Sequence, residues 1–358
     1  MEVYTAVLYN DIQGVRYETD NKNGFDWIIK YFSDYYSISA ETDKQQIDYV
    51  VKCFMMNDES LFDDYNRNNT KVQGFFGGEY FVDASCEVIK FVACDKSHII
   101  KKEKNTISMY INNVRFEIVH ISARIIRDIF TRAFENVDYN LLHSGAVSCN
   151  GFGLLFVGSK NAGKTTAVFS TLKHSRASFI SNDKTYIGFN KKNEAIMHGW
   201  PASSLIAINS LNSFSEILNY IISETLEYPQ FVKDEKNIKI ELTPNEIKSI
   251  YKINILKAQK LDFVFFPCID PKVNKTSIFR CPIEKSRQIM LNNLLTPYDP
   301  HYPDFLHLRK KDEDFYRTQA EKTVDKILSS IKCYELNYGY DIKEMANSLS
   351  GFIHEMKL

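Results

Sequence analysis

The clearest periodic pattern in the chain lies between residues 121 and 137. In the stretch ISARIIRDIFTRAFENV, apolar side chains recur at 121, 125, 126, 129, 130, 133, 134 and 137. Residues three or four apart share one face of an α-helix, so this spacing predicts an amphipathic helix with one buried stripe. Arg124, Arg127 and Arg132 fall between these positions. We expect these arginines on faces that do not enter the core.

Before this helix, shorter apolar runs predict a mixed domain. Apolar and β-branched runs bounded by polar residues are typical of strands. A helical stretch is predicted near Phe25–Tyr36, and the polar tract Asn57–Asn69 indicates an exposed loop. The predicted strands are Tyr4–Tyr9, Tyr80–Val82, Val88–Val92 and Ile107–Ile111. We therefore expect an α+β domain over residues 1–115, with the boundary just before the helix.

Beyond residue 115, helices and strands alternate, which predicts an α/β domain over residues 116–358. LLHSGAVS and GLLFVG, joined by Asn150–Gly151, indicate two strands and a tight turn. The remaining predictions are a helix at Lys164–Leu172, a strand pair or a strand and turn in SFISNDKTYIGF, a helix start at Thr243–Glu246, a buried strand Leu261–Pro267 ending at its proline, a helix in QAEKTVDKILSSI, a strand in CYELNY, and a last helix capped by Asp341.

Composition narrows the class of protein. The 358 residues are 44% hydrophobic and 25% charged, with a formal net charge of −1. This balance gives no reason to expect nucleic acid or an anionic membrane as a partner. No apolar run approaches the ~20 residues of a membrane span, and the first residues lack the order of a secretory signal. The seven cysteines are scattered and never spaced C-x-x-C, which favours a reducing cytoplasm over a disulfide framework or a zinc site.

One motif carries specific chemistry. Residues 158–165 read GSKNAGKT and fit the pattern G-x-x-x-x-G-K-[ST] between an apolar strand and a predicted helix. In that setting, backbone N–H groups point inward and bind phosphate oxygens at a helix N-terminus. Lys164 would reach the β- and γ-phosphates of ATP, and Thr165 would bind Mg²⁺. The alternative is a glycine turn with an incidental lysine. The predicted nucleotide contacts are Gly158, Ser159, Lys160, Asn161, Ala162, Gly163, Lys164, Thr165 and Thr166.

Two further residues are candidates for catalysis. Asp183 ends an apolar run after the motif, where a carboxylate can bind Mg²⁺ or take a proton from an attacking hydroxyl. The alternative for Asp183 is a turn aspartate, because Asn-Asp-Lys also favours turns. His143 lies one strand before the motif, and strand–turn–strand connectivity would bring it close to the phosphates. The alternative for His143 is a structural histidine.

The order of these segments resembles a known family. LHSGAVSCNGFGLLFVGSKNAGKTTAVFSTLKHSRASFISNDKTYI is similar to the HPr kinase/phosphorylase-like kinases, over about residues 120–200, and more weakly in GWPASS, FFPCID and TPYDPHYPDFL. The resemblance implies a phosphoenolpyruvate-carboxykinase-like P-loop kinase domain with a mixed sheet. It also implies Lys164 and Thr165 in the roles above, and Asp183 as general base toward a seryl hydroxyl, helped by His143. The departure is Asn182, which stands where the family has a metal-associated aspartate.

Three functions remain open at this stage. The first is an ATP- and Mg²⁺-dependent kinase acting on a peptide, a small protein or a small alcohol, with residues 1–115 as candidates for acceptor recognition. The second is a nucleotide-gated binding protein, which Asn182 favours. A carboxykinase-like decarboxylase ranks lowest, since no metal-binding cluster of His, Lys and Asp is evident. The segment DPHYPDFLHLRK is either an acceptor-binding lid or a surface loop, and a homo-oligomer is left open.

Overall fold

The computed structural model describes residues 2–40, 46–55, 70–72, 78–82, 88–93, 98–111, 117–223, 231–234, 237–299 and 302–356. The tract Asn57–Asn69, predicted as a loop, lies outside these residues. The chain divides into two compact units, each with its own internal contacts. The first unit is Met1–Asn136 with Pro303–Lys310, and the second is Val137–Tyr302 with Lys311–Leu358.

In its described residues, the first unit has a nine-stranded sheet and two helices. The sheet order is β3-β1-β2-β4-β9-β8-β7-β6-β5, and among these described strands only the β2–β4 and β4–β9 pairs are parallel. All four predicted strands are present, and the helix predicted near Phe25–Tyr36 begins and ends a few residues earlier. The elements are β1 Tyr4–Tyr9, β2 Gly14–Thr19, α1 Lys22–Phe32, β3 Ser37–Ser39, β4 Tyr49–Met55, β5 Thr70–Val72, β6 Gly78–Val82, β7 Val88–Ala93, β8 His98–Glu103, β9 Thr106–Ile111 and α2 Glu117–Glu135.

Helix α2 is the amphipathic helix that the periodic pattern predicts. Its apolar positions from Ile125 to Phe134 are buried, as expected. One detail of the prediction is wrong, because Arg132 is buried with only 1% of its side chain exposed. Its guanidinium donates to Glu135 at 2.6 Å and to the Pro303 carbonyl at 3.0 Å. These partners neutralise and bind the charge, which the spacing alone could not show.

The division of the chain also differs from the expected boundary near residue 115. Helix α2 belongs to the first unit, and so does Pro303–Lys310. Within that segment Phe305, Leu306 and Leu308 are buried, and Arg309 donates to Glu135. Apolar burial and ion pairs therefore hold the segment in the first unit. It is not the exposed surface loop that was one of the two alternatives from the sequence.

The second unit contains thirteen strands and six α-helices in its described residues. The elements are β10 Asn140–Leu142, β11 Ser144–Cys149, β12 Phe152–Val157, α3 Lys164–His174, β13 Ser178–Ser181, β14 Thr185–Phe189, β15 Ala195–Gly199, β16 Ser204–Ala207, a 3-10 helix Ile208–Ser213, α4 Ser215–Ser223, β17 Phe231–Asp234, β18 Asn237–Leu242, α5 Pro244–Tyr251, β19 Ala258–Lys260, β20 Phe263–Ile269, β21 Ser277–Arg280, α6 Ile283–Asn292, α7 Glu313–Ser330, β22 Lys332–Tyr338 and α8 Ile342–Glu355.

The described strands of this unit form three sheets. The six-stranded sheet has the order β13-β11-β12-β20-β22-β21 and is mixed, with β12, β20 and β22 parallel. The others are the antiparallel sheets β10-β14-β15-β19 and β16-β18-β17. Mixed α/β architecture is thus confirmed. The predicted hairpin is present, because β11 and β12 pair across Asn150 and Gly151, which both have positive φ as such two-residue turns require.

The six-stranded sheet is buried on both faces. Successive residues of β12 enter different cores. Leu154 and Phe156 lie in the apolar cluster that includes residues of α3 and α8, while Leu155 and Val157 lie in the cluster that includes residues of α7. Side chains of a strand alternate between the two faces of a sheet, so a continuous apolar run suits a strand covered on both sides. Because both faces of β12 are packed, the end of the strand, where the motif begins, is held in place.

Two strand predictions need correction. SFISNDKTYIGF does form two strands, β13 and β14, but they belong to different sheets and do not pair with each other. Pro267 does not end its strand, because β20 continues to Ile269 and Pro267 lies opposite Leu336 of β22. The paired register of β12 on β20 stops at Phe265. A proline is tolerated there because one side of β20 no longer has that ladder partner.

Candidate functional site

The motif forms a tight loop between β12 and α3, as its sequence predicts. Gly163 precedes the helix with φ of 103°, and no side chain caps the first turn of α3. A Cβ on Gly163 would lie 2.4 Å from the Tyr338 hydroxyl, so only glycine fits. That hydroxyl donates to the Gly163 carbonyl at 2.7 Å. The loop is therefore fixed from β22, and it leaves the helix N-terminus without a capping side chain.

Lys164 is the first residue of α3 and is buried. Its Nζ donates to the Gly158 carbonyl at 2.6 Å and to the Ser159 carbonyl at 2.9 Å. Burial lowers the pKa of Lys164 to about 8, and the negative charge of Asp183 acts in the opposite direction. Among the described residues, the ammonium has only neutral hydrogen-bond acceptors, and the charge of Asp183 is its electrostatic partner.

Asp183 occupies a turn that follows β13. Its φ is 72°, a left-handed conformation that few residues other than glycine, asparagine and aspartate adopt. The Asp183 carbonyl accepts from the Ser144 backbone N–H at 3.1 Å, so the turn stays attached to β11. Its side chain is half-exposed, with 45% of its surface accessible. This combination of a constrained backbone and an accessible carboxylate is frequent at functional sites.

Two nitrogen-bearing side chains face the Asp183 carboxylate. His143 Nε2 lies 3.4 Å from Oδ1, and the Lys184 ammonium makes an ion pair with Oδ2. Burial alone would raise the pKa of Asp183, but the hydrogen bonds and charges of His143 and Lys184 bring it well below its usual value. Asp183 is therefore an ionised carboxylate at any ordinary pH. The structure brings the predicted pair of Asp183 and His143 together.

His143 lies between β10 and β11, and its backbone N–H donates to the Asn293 carbonyl at 2.8 Å. The imidazole is partly exposed, at 28%. In the described part of the chain, only Asp183 forms an ion pair with this ring. The structure therefore places the His143 ring beside Asp183, and its role in catalysis stays a prediction.

Lys184 is the residue that sequence reasoning missed. Its Nζ lies 4.7 Å from the centroid of the Trp200 ring and 5.7 Å from that of Tyr302. Burial would lower its pKa, but Asp183 and Tyr302 together raise it. Attraction between a cation and an aromatic face stabilises such a charge out of water. Nothing in the local sequence could show this, because the two aromatic residues come from distant parts of the chain.

Asn182 is buried at 1% exposure, beside Asp183. Among the described residues, neither its Oδ1 nor its Nδ2 has a hydrogen-bond partner. A Cβ on Gly145 would lie 3.4 Å from Oδ1 and 2.5 Å from Val168 of α3, so the amide lies close to the helix that follows the loop. Buried polar groups are rarely left unpaired, which makes Asn182 a position where a ligand or water could complete the hydrogen bonding.

The remaining predicted nucleotide contacts belong to the loop and to the first turn of α3. Ser159, Lys160 and Asn161 are exposed, while Ala162, Thr165 and Thr166 are partly buried. Thr166 also lies within hydrogen-bonding reach of Tyr338. The roles of all these residues in binding ATP stay predictions.

The donor atoms of the site determine whether a metal ion fits it. Among the described residues, no group of three or more His, Cys, Asp or Glu side chains could hold a metal ion. Mg²⁺ commonly binds through phosphates, water and one or two protein oxygens. The Thr165 hydroxyl and the unpaired Asn182 oxygen suit that kind of site, whereas Asp183 already faces an ammonium. The residues thus fit a metal bound together with a nucleotide.

Comparisons with known proteins add little to this geometry. No family model and no curated protein matches the chain. Among solved structures, the chain is similar to the Hpr(Ser) kinase/phosphatase from Coxiella burnetii, with a TM-score of 0.28 and 10% sequence identity. The alignment covers 61% of this chain and 97% of that chain. This structural resemblance is weak, and no property of this chain follows from it. None of the described helices is long and apolar enough to cross a membrane.

Proposed function

We propose that this protein is an ATP-dependent kinase that transfers the γ-phosphoryl group to a hydroxyl. One observation supports it above all: the buried Lys164 at the start of α3 interacts electrostatically with Asp183, which itself faces His143. This interaction supports one site that contains both a phosphate-binding motif and a pair of acid–base residues. Phosphoryl transfer needs these two features close together, because the acceptor must attack the phosphate in line with the leaving group.

The donor side of the site is the loop and the first turn of α3. Uncapped backbone N–H groups and the helix dipole favour an anion at this position. The Lys164 ammonium would exchange the carbonyls of Gly158 and Ser159 for phosphate oxygens. A charged acceptor binds an ammonium more strongly than a carbonyl does. Thr165 would hold Mg²⁺, which neutralises charge on the β- and γ-phosphates.

The acceptor side is the pair of Asp183 and His143. The acceptor oxygen would bond to the γ-phosphorus as the bond between that phosphorus and the bridging oxygen breaks, which releases ADP. The hydroxyl proton would pass to the Asp183–His143 pair. The sequence resemblance favours a serine or threonine of a peptide or small protein as acceptor, with a small alcohol as the alternative. A phosphoenolpyruvate-carboxykinase-like kinase domain, acceptor recognition by the N-terminal residues and a cytoplasmic location are parts of the same proposal, and the oligomeric state is left open.

The experiment uses γ-labelled ATP, Mg²⁺ and a panel of peptides and small alcohols, with mass spectrometry of every labelled product. We expect label on a hydroxyl acceptor with the wild type and a loss of at least tenfold with Lys164→Ala. Lys191→Ala removes an exposed lysine after β14 and is the matched control. Equal transfer by wild type and Lys164→Ala would contradict the proposal.

A second function is a nucleotide-gated binding protein with little or no catalysis. The observation that favours it is that Asp183 Oδ2 already pairs with the Lys184 ammonium, while Oδ1 lies 3.4 Å from His143 Nε2. A carboxylate held in this way is a weak base. ATP binding without transfer to any acceptor in the panel, and without release of phosphate, would favour this alternative.

A further inference from the structure

The Asp183 carboxylate has a cation of its own, and that cation is firmly held. The Lys184 ammonium pairs with Oδ2, and only 14% of the lysine side chain is exposed. It also lies over the rings of Trp200 and Tyr302, whose centroids are 6.4 Å apart at an interplanar angle of 74°. A flexible lysine on a surface would not keep one position. Here the two rings and the carboxylate restrict the ammonium.

The backbone around the ammonium is also fixed. The Ser181 hydroxyl donates to the Lys184 carbonyl and accepts from the Trp200 backbone N–H at 3.2 Å. One serine thus ties the lysine to the strand end that carries the aromatic ring. The turn between Ser181 and Lys184 cannot open without the loss of these bonds. Lys184 is therefore part of a built arrangement, and it does not depend on a chance side-chain rotamer.

The charges near the turn leave little attraction for a second cation. Asn182 is neutral, Asp183 carries one negative charge and Lys184 carries one positive charge. A divalent ion bound to Asp183 would lie close to the ammonium, and the two positive charges would repel each other in a partly desolvated site. Among the described residues, no group of three or more His, Cys, Asp or Glu side chains is present that could hold a metal ion against this repulsion.

We propose that Lys184 is the resident cation of Asp183 and takes the place that a metal ion would otherwise occupy. Lys184 is a positioning residue: it holds Oδ2, so that Oδ1 faces His143 and the acceptor. The metal of the reaction would be held by Thr165 and the nucleotide phosphates, without Asp183. The acceptor part of this inference rests on the proposed kinase function, whereas the ion pair does not.

The first test is a double-mutant cycle on the nucleotide-free, full-length protein. Lys184→Met, Asp183→Asn and the double variant are unfolded in urea, with Lys184→Arg as the variant that keeps the charge. We expect the interaction between the two side chains to change the equilibrium constant of unfolding by at least fivefold. Lys184→Arg should be more stable than Lys184→Met, because it keeps the charge. Coupling below fivefold would overturn the claim that Lys184 and Asp183 act as a pair.

The second test measures Mn²⁺ binding by electron spin resonance in the presence of a non-hydrolysable ATP analogue. Thr165→Val should weaken Mn²⁺ binding at least tenfold, while Asp183→Asn should change it less than twofold. A tenfold loss in Asp183→Asn would overturn the inference, because Asp183 would then be a metal ligand. This test uses a conservative variant and does not require the lysine variants to fold.

The two tests separate the inference from the proposed function. If the wild-type protein binds no nucleotide, the kinase proposal fails, and the double-mutant cycle alone decides whether Lys184 is the cation of Asp183. If nucleotide binds and the cycle shows no coupling, the kinase proposal stands and the inference fails.

Discussion

Two lysines near the candidate site are both largely buried, yet their environments differ. Lys164, at the start of α3, donates to two backbone carbonyls, and burial lowers its pKa to about 8. Lys184, after the Asp183 turn, has a carboxylate and two aromatic rings, and these partners raise its pKa in spite of burial. The comparison shows that the partners, more than the burial, decide what a buried ammonium can do.

Because of this difference, the two lysines are suited to different roles. Lys164 has no direct ion pair among the described residues, so its charge is only partly compensated and would gain most from an anionic ligand. Lys184 is already neutralised by Asp183, so a ligand would gain little from it. One lysine is suited to bind the phosphates of a substrate, and the other is suited to hold a catalytic carboxylate in place.

The largest expected effect comes from the carboxylate that Lys184 holds. Asp183→Asn keeps the shape of the side chain but removes its charge and its basicity. General base catalysis typically contributes ~10²–10⁴-fold, so transfer should fall by about that factor while ATP affinity stays near that of the wild type. Single-turnover transfer and calorimetric ATP binding measure the two quantities. Full transfer by a folded Asp183→Ala protein would end the catalytic assignment.

The next effect concerns stability and pH, and it tests the environment of Lys164. Because burial lowers the pKa of Lys164 from 10.5 to about 8, the unfolded state binds more protons between these values. The contribution of this group to the free energy of unfolding should therefore rise as pH increases from about 8 to 10.5, and stay constant below. Urea unfolding across this range, compared with Lys164→Met, isolates the contribution.

If the two proteins show parallel pH profiles, Lys164 is not held in an unfavourable environment. The contrast with Lys184 would then be lost, because both lysines would be stably charged.

Much of the fold could be predicted from the chain. The hairpin from β11 to β12 could be predicted because Asn150–Gly151 provides the positive φ values that its turn needs. The start of α5 could be predicted because Thr243 and Glu246 form a reciprocal cap. In these places, a few neighbouring residues determine the structure. The position of the loop between β12 and α3 could be predicted for the same reason.

Features made by distant residues could not be predicted. Arg132 was expected on an exposed face, but Asp304, which approaches within 3.6 Å, comes from a segment far along the chain. The aromatic partners of Lys184 also lie outside its own turn, with Trp200 after β15 and Tyr302 far along the chain. The candidate site was therefore predicted as a motif, an aspartate and a histidine. Its electrostatics, including the unpaired Asn182, required the structure.

A smaller effect is expected from the hydroxyl that fixes the loop. Tyr338→Phe removes the hydrogen bond to the Gly163 carbonyl and keeps the ring that fills the core. A typical hydrogen bond contributes about 1 kcal/mol net, so the free energy of unfolding should fall by that amount. The urea midpoint measures the change, with Tyr334→Phe as the matched control on the same strand. An equal loss in both variants would mean that the hydrogen bond to the Gly163 carbonyl contributes no more to stability than the Tyr334 hydroxyl does.

The central claim, that the Lys164 ammonium binds the phosphates of a nucleotide, has one direct measurement. Calorimetry at pH 7 compares the affinity for ATP of the wild type, Lys164→Ala and Lys184→Met. We predict that Lys164→Ala weakens binding at least tenfold, which is about 1.4 kcal/mol, and that Lys184→Met changes it less than twofold. Unchanged affinity in Lys164→Ala would contradict the claim, and so would equal losses in the two variants.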